Sequence, residues 1–131
     1  NSYTKLKINK KMINFFTPNE IIQYRIGTYF SKEPETLEWI DNFIEKENLI
    51  FWDIGANIGL YSIYASVIHK NINVIAFEPS TRNLRILSRN VSVRSLFFSL
   101  FYRPRRYETF SRYRLVFSFR YLYIFDFTSQ T

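Results

Sequence analysis

The chain has 131 residues, no cysteine and one histidine, and its 18 basic against 11 acidic side chains leave a net charge of +7. That length suits a single domain with one core. The absence of cysteine excludes disulfides, thiolate metal sites and cysteine nucleophiles, and one histidine cannot build a metal centre, so no metal is expected. Residues 1 to 93 hold 11 basic and 9 acidic side chains, whereas residues 94 to 131 hold 7 arginines and 2 acids, so any argument for an anionic partner concerns the tail alone.

In chain order, Lys5, Leu6, Lys7 and Ile8 alternate at period two, which predicts a short peripheral strand or strand pair within residues 1 to 16. Thr17, Pro18 and Glu20 form a helix-start signature, with Thr17 as N-cap, and Ile21, Ile22, Arg25 and Ile26 carry the helix to about Tyr29. A second start at Pro34, flanked by Glu33, Glu35 and Glu38, predicts a helix whose apolar face is Leu37, Ile40, Phe43 and Ile44 and whose acids are a solvated face. Trp39 and Trp52 read as core or wall residues. Leu49 to Trp52 is a continuous apolar run consistent with a buried parallel strand. Leu60 to Ile68 follows as a helix, with His69 a solvated residue at its end beside Lys70. Asn71 to Asn73 breaks the pattern, and Val74 to Phe77 is a second buried strand ending at Glu78 and Pro79. Ser80 or Thr81 caps a last helix in which Leu84, Leu87 and Val91 share a face. Leu49 to Val91 is therefore a β-α-β-α unit, expected to be right-handed.

The stretch Asp53-Ile54-Gly55-Ala56-Asn57-Ile58-Gly59 between the first of these strands and its helix is hard to explain by packing alone. In an open parallel sheet ligands bind outside the carboxyl ends of the strands, where both Asp53 and Glu78 fall. Gly55 and Gly59 lack Cβ and let a ligand lie against the backbone, and Asn57 tolerates a left-handed conformation. Glu78, 25 residues after Asp53, is placed to accept hydrogen bonds from both hydroxyls of a ribose. The dinucleotide fingerprint needs glycine at the first, third and sixth loop positions, here Gly55, Asn57 and Leu60, and only the first fits. An acid followed by Gly-x-Asn-x-Gly is instead the form seen around S-adenosylmethionine, which has no phosphate.

Lys32-Glu33-Pro34-Glu35-Thr36-Leu37-Glu38-Trp39-Ile40, Asp53 to Ser62, and Phe77-Glu78-Pro79-Ser80 with Asn83, Leu87 and Asn90 together resemble the N-terminal half of FkbM-type S-adenosylmethionine-dependent methyltransferases, over roughly Thr17 to Val91. The resemblance implies an α/β, Rossmann-like class I methyltransferase fold of which only the first β-α-β-α half is present, preceded by an N-terminal helical extension. It also implies O-methyl transfer to a sugar or natural-product hydroxyl, so the expected partner is a small-molecule or glycan methyl acceptor. Asp53, Gly55, Asn57 and Gly59 would line the methionine part of the cofactor, and Glu78 would hold the ribose. Glu33 and Glu35 belong to the resembling motif and could bear on the acceptor side. No third or fourth strand of the methyltransferase pattern, and no catalytic base, is recognisable after Val91.

The organisation read from this is an extension over residues 1–46, a partial cofactor-binding domain over 47–93, and an atypical tail over 94–131. Residues 1 to 93 contain 15 Ile, 11 Asn and 7 Lys, while the tail contains one Ile and neither Asn nor Lys, the change expected if the tail is read from a shifted frame beginning near Arg94. Read as protein, Tyr113 to Phe127 alternates as a half-buried strand. Its arginines and rings could form a nucleic-acid surface, but no recognised motif frames them, so nucleic-acid binding is the lesser alternative, beside that of a truncated chain without catalysis. No secretory leader opens the sequence and no uncharged apolar run approaches the ~18 residues of a spanning helix, so a cytoplasmic protein is expected.

Overall fold

The structure, a computed structural model, describes residues 2–44, 49–92 and 98–101, with side chains described as far as residue 92. The strand expected over Tyr113 to Phe127, and with it the tail's arginine and aromatic surface, lies outside those residues. Strands β1 (Tyr3–Ile8) and β2 (Lys11–Phe16) form an antiparallel hairpin in which Ile8 pairs with Lys11 across a two-residue turn. Asn9 takes φ +54 there, a conformation for which asparagine is a favoured non-glycine residue. Ile8, Ile13 and Phe15 turn inward while the lysines stay in solvent, as the period-two pattern requires.

Helix α1 spans Glu20–Gly27, and its N-cap is Asn19, whose side chain accepts the Ile22 N–H at 3.1 Å. This corrects the expected cap at Thr17. Thr17 is buried, its N–H bonded to the Ser2 carbonyl at 2.9 Å and its hydroxyl met by that of Thr4 at 3.2 Å, so it closes the open end of the hairpin. Asparagine caps at least as well as threonine, which leaves Thr17 free for that task. A short turn, α2 (Tyr29–Lys32), leads to α3 (Pro34–Asp41), which starts at the proline as read. Because α3 stops at Asp41, Ile44 leaves the apolar face and is 75% exposed, while Leu37, Ile40 and Phe43 are buried.

Three parallel strands follow, β3 (Leu49–Ile54), β4 (Ile72–Phe77) and β5 (Phe98–Phe101), in the order β3-β4-β5. The third strand corrects the expectation that only a β-α-β-α half is present. Phe98 to Phe101 carries no acid or glycine loop at its end, so nothing but the backbone pairing Val74↔Phe98 to Phe77↔Phe101 identifies it. Helix α4 (Leu60–Ile68) joins β3 to β4 and packs on both, and α5 (Thr81–Ser92) follows β4 and packs against β2. Phe51 pairs with Val74 and Asp53 with Ala76 on the buried side of the sheet, while Ile50, Trp52, Ile75 and Phe77 are half-buried on the other.

One apolar cluster runs from Ile8, Ile13 and Phe15 through Ile22, Ile26 and Ile40 to Phe51, Ile63 and Leu87. His69 belongs to this interior and not to the surface, correcting its reading as a solvated residue: it is 4% exposed, stacks on Phe43 at 5.5 Å, and its Nε2 donates to the Ile40 carbonyl at 2.7 Å. That carbonyl lies in the last turn of α3 and also accepts the Phe43 N–H at 3.2 Å, so His69 is its second donor.

The polar tie of the interior is Asn90, 2% exposed on α5. Its Oδ1 accepts the Phe16 N–H at 2.8 Å and its Nδ2 donates to the Ile58 carbonyl at 2.9 Å, so one amide fastens the hairpin to the loop after β3. Asn90→Ala strands both groups, and we expect the unfolding free energy measured in urea to fall by about 2 kcal/mol or more; an unchanged midpoint would remove Asn90 from this role.

Candidate functional site

β3 and β4 end in register, Ile54 opposite Phe77, and the loops that leave them are bound to each other. The amides of Gly55 and Ala56 both point at the Phe77 carbonyl, at 2.8 and 3.0 Å. Three alternate loop residues take left-handed backbone: Gly55 at φ +83, Asn57 at +52 and Gly59 at +86. The two glycines serve different ends. A Cβ added at Gly55 would meet nothing within 4 Å, so the exposed surface over it is open to a ligand, whereas at Gly59 it would lie 2.3 Å from Leu87 Cδ1. Gly59 is therefore required for the approach of α5 to the start of α4 and lies within the packing.

Glu78, 5% exposed, joins this loop from the end of β4. Its Oε2 accepts the Asn57 N–H and its Oε1 the Ser80 N–H, each at 2.7 Å. Charge-assisted bonds of this kind offset the desolvation of a buried carboxylate. Each oxygen keeps a further lone pair, so the group retains acceptor capacity for a diol. Ser80 in turn opens α5, its hydroxyl meeting the Asn83 N–H at 3.4 Å.

Asp53 is turned inward and is 2% exposed. Its Oδ2 accepts the Ser62 hydroxyl at 2.5 Å, which fastens the end of β3 to the first turn of α4. Burial pushes its carboxyl from 3.8 up to about 6; hydrogen bonds from the Ser62 side chain and backbone oppose the rise, and the nearby charge of Glu78 adds to it. Asn57, half-buried, is held on its side-chain face as well: Arg25 Nη1 of α1 donates to its Oδ1 at 2.8 Å.

The five residues singled out from sequence thus fall at one end of the sheet, with Glu78, Asn57 and Gly55 at its edge and Asp53 and Gly59 beneath them. Sequence reasoning read Ser80 as a candidate helix cap, which its hydroxyl is, but gave no site role to Arg25 or Ser62. Ser62 stands three residues after Gly59, a first-turn position that could have suggested its bond, whereas Arg25 shares a helix face with Ile22 and carries no motif. Around α4, the Tyr61 hydroxyl donates to Glu33 and that of Tyr64 to Asp41, each at 2.7 Å, so Glu33 of the expected solvated face, and Asp41 at the end of α3, are tied to the body of the fold. Desolvation and the Asp41 bond push the Tyr64 phenol up to about 12.

A separate cleft of about 360 Å³ lies between the start of α1 and α5, lined by Phe16, Pro18, Arg82, Arg85 and Ile86 among others and by none of Asp53, Asn57 and Glu78. Among the described residues no three His, Cys, Asp or Glu side chains are grouped to hold a metal ion, and no helix is long and apolar enough to cross a membrane.

No family model matches the sequence, so the FkbM-type likeness gains no support there, and no curated protein matches it. Among solved structures the chain is similar to the tRNA (uracil-54, C5)-methyltransferase of Pyrococcus abyssi in complex with S-adenosyl-L-homocysteine. Identity is 14% and the TM-score 0.49, over 77% of this chain and 24% of that one, so the chain spans about a quarter of that neighbour's length.

Two outcomes follow from the geometry of Asp53 and Gly59. With its folded pKa raised from 3.8 to about 6, Asp53 favours the folded state while protonated and loses that contribution as pH rises through 6. In urea titrations from pH 3.5 to 7, the wild type should lose on the order of 3 kcal/mol relative to Asp53→Asn, and parallel profiles would contradict the shift. Gly59→Ala combines left-handed strain with a clash against Leu87, and we expect a loss of roughly 2–4 kcal/mol in the same assay.

Proposed function

We propose that this chain is the cofactor-binding part of an S-adenosylmethionine-dependent methyltransferase. The observation that carries the reading is the convergence of Glu78 and Asn57, an acid from the end of one parallel strand bonded to a left-handed loop residue from the end of its neighbour. That is the place where open parallel sheets take their ligands.

The residues present fit the cofactor on three counts. Glu78 has spare acceptor capacity for two ribose hydroxyls, its two oxygens each carrying one backbone bond. Gly55 leaves open surface at a left-handed turn, which allows a ligand to approach the main chain. The loop departs from the glycine pattern that cradles a pyrophosphate, and S-adenosylmethionine has none. When bound, the cofactor supplies a methyl group activated by its sulfonium. The chain's own contribution is to hold and orient: Glu78 at the ribose, Gly55 and Asn57 along the methionine part, and Asp53 and Gly59 keeping the loop against α4 and α5. Positioning of this kind is the chief requirement of an in-line methyl transfer. The finer reading, O-methyl transfer to a sugar or natural-product hydroxyl, rests on the FkbM-type resemblance alone, which the motifs around Pro34, Asp53 and Glu78 carry.

Isothermal titration of the full chain with S-adenosylhomocysteine tests the reading. We expect saturable binding that Glu78→Ala weakens at least about tenfold, the scale of losing charge-assisted bonds to two hydroxyls. Heat no greater than dilution for the wild type would overturn it.

A further inference from the structure

Arg25 stands out because its partner is a neutral amide. It is half-buried on α1, 32 residues before Asn57, and its Nη1 is bonded to the Asn57 side chain at 2.8 Å. Among the described residues no carboxylate pairs with it. A guanidinium has five N–H donors in a fixed fork suited to a planar anion, and the bond to Asn57 engages one of its nitrogens. The acids of the same site, Asp53 and Glu78, are both buried and bond Ser62, Asn57 and Ser80. A cation brought to an acidic loop without an acid of its own matches a ligand that carries a carboxylate.

Resting on the cofactor reading above, we propose that Arg25 binds the α-carboxylate at the amino-acid end of the cofactor. The amino-acid end is a zwitterion. Its ammonium is compatible with Asp53 and Glu78, whereas its carboxylate is repelled by both and needs a cation or amide donors. Arg25 supplies that cation from outside the β-α-β unit, so the N-terminal helix becomes part of the ligand site. The bond to Asn57 fixes the guanidinium relative to the loop, so little side-chain freedom is left to lose when a carboxylate arrives.

The alternative is that Arg25 only holds Asn57 at its left-handed φ. The two roles separate with a pair of ligands: S-adenosylhomocysteine, which has the amino-acid end, and 5′-methylthioadenosine, which keeps the nucleoside and thioether but lacks it. Titrations of the full chain as wild type, Arg25→Gln and Arg25→Lys are compared. We expect Arg25→Gln to weaken S-adenosylhomocysteine about tenfold or more while methylthioadenosine stays within about twofold, with Arg25→Lys in between because it keeps the charge without the fork. Retained methylthioadenosine binding also reports that the variants fold. Equal weakening of both ligands, or weakening of neither, overturns the assignment. A wild type that binds neither ligand overturns the cofactor reading itself, and the role of Arg25 with it.

Discussion

Two backbone amides from different loops converge on the carboxylate of Glu78, and the arrangement of the strand ends depends on that convergence. A buried carboxylate without donors would cost several kcal/mol, so the amides of Asn57 and Ser80 are needed where they are. Conversely, Asn57 sits at a positive φ and a single bond from Glu78 helps hold it there. With the Phe77 carbonyl meeting Gly55 and Ala56, the loop after β3 is fastened to the end of β4 at three amides in succession. The edge of the candidate site is therefore held by the protein's own bonds, and such preorganisation lowers the ordering cost of any ligand that binds there.

Residues before β3 take part in this edge. Arg25 reaches Asn57, Tyr29 bonds the Leu60 carbonyl at 3.3 Å, and Glu33 and Asp41 receive the hydroxyls of Tyr61 and Tyr64. Each joins the segment from α1 to α3 to α4 or to the loop that leads into it, and the apolar cluster is continuous across the same boundary. The N-terminal helices and the β-α-β unit share one core.

Much of this was legible because local chemistry and tertiary position agree. Leu60 to Ile68 is a helix with the expected ends, and Pro34 opens α3 as a first-turn proline should. The five candidate site residues gather at one sheet end because strand ends in a parallel β-α-β unit are adjacent by topology, so motif order alone implies proximity. Failures occurred where the deciding contact is distant in sequence. His69 is drawn inside by the Ile40 carbonyl, and Thr17 gives up the cap because Ser2 and Thr4 engage it. β5 escaped notice because a four-residue strand without a motif is defined by its pairing with β4, which no local pattern records. Arg25 shows the same thing at the site: its helix face was readable, its partner was not.

Asn90 has a consequence for the order of folding. The hairpin of β1 and β2 closes through a two-residue turn and can form on its own within microseconds. Its last amide, however, finds its partner 74 residues downstream, on the final described helix. Loops of that length close late and at an entropic cost that local contacts do not share. An element that needs only local contacts to form is thus tied down by one of the most distant contacts in the fold, and the Ile58 carbonyl, bonded to the same side chain, is satisfied with it.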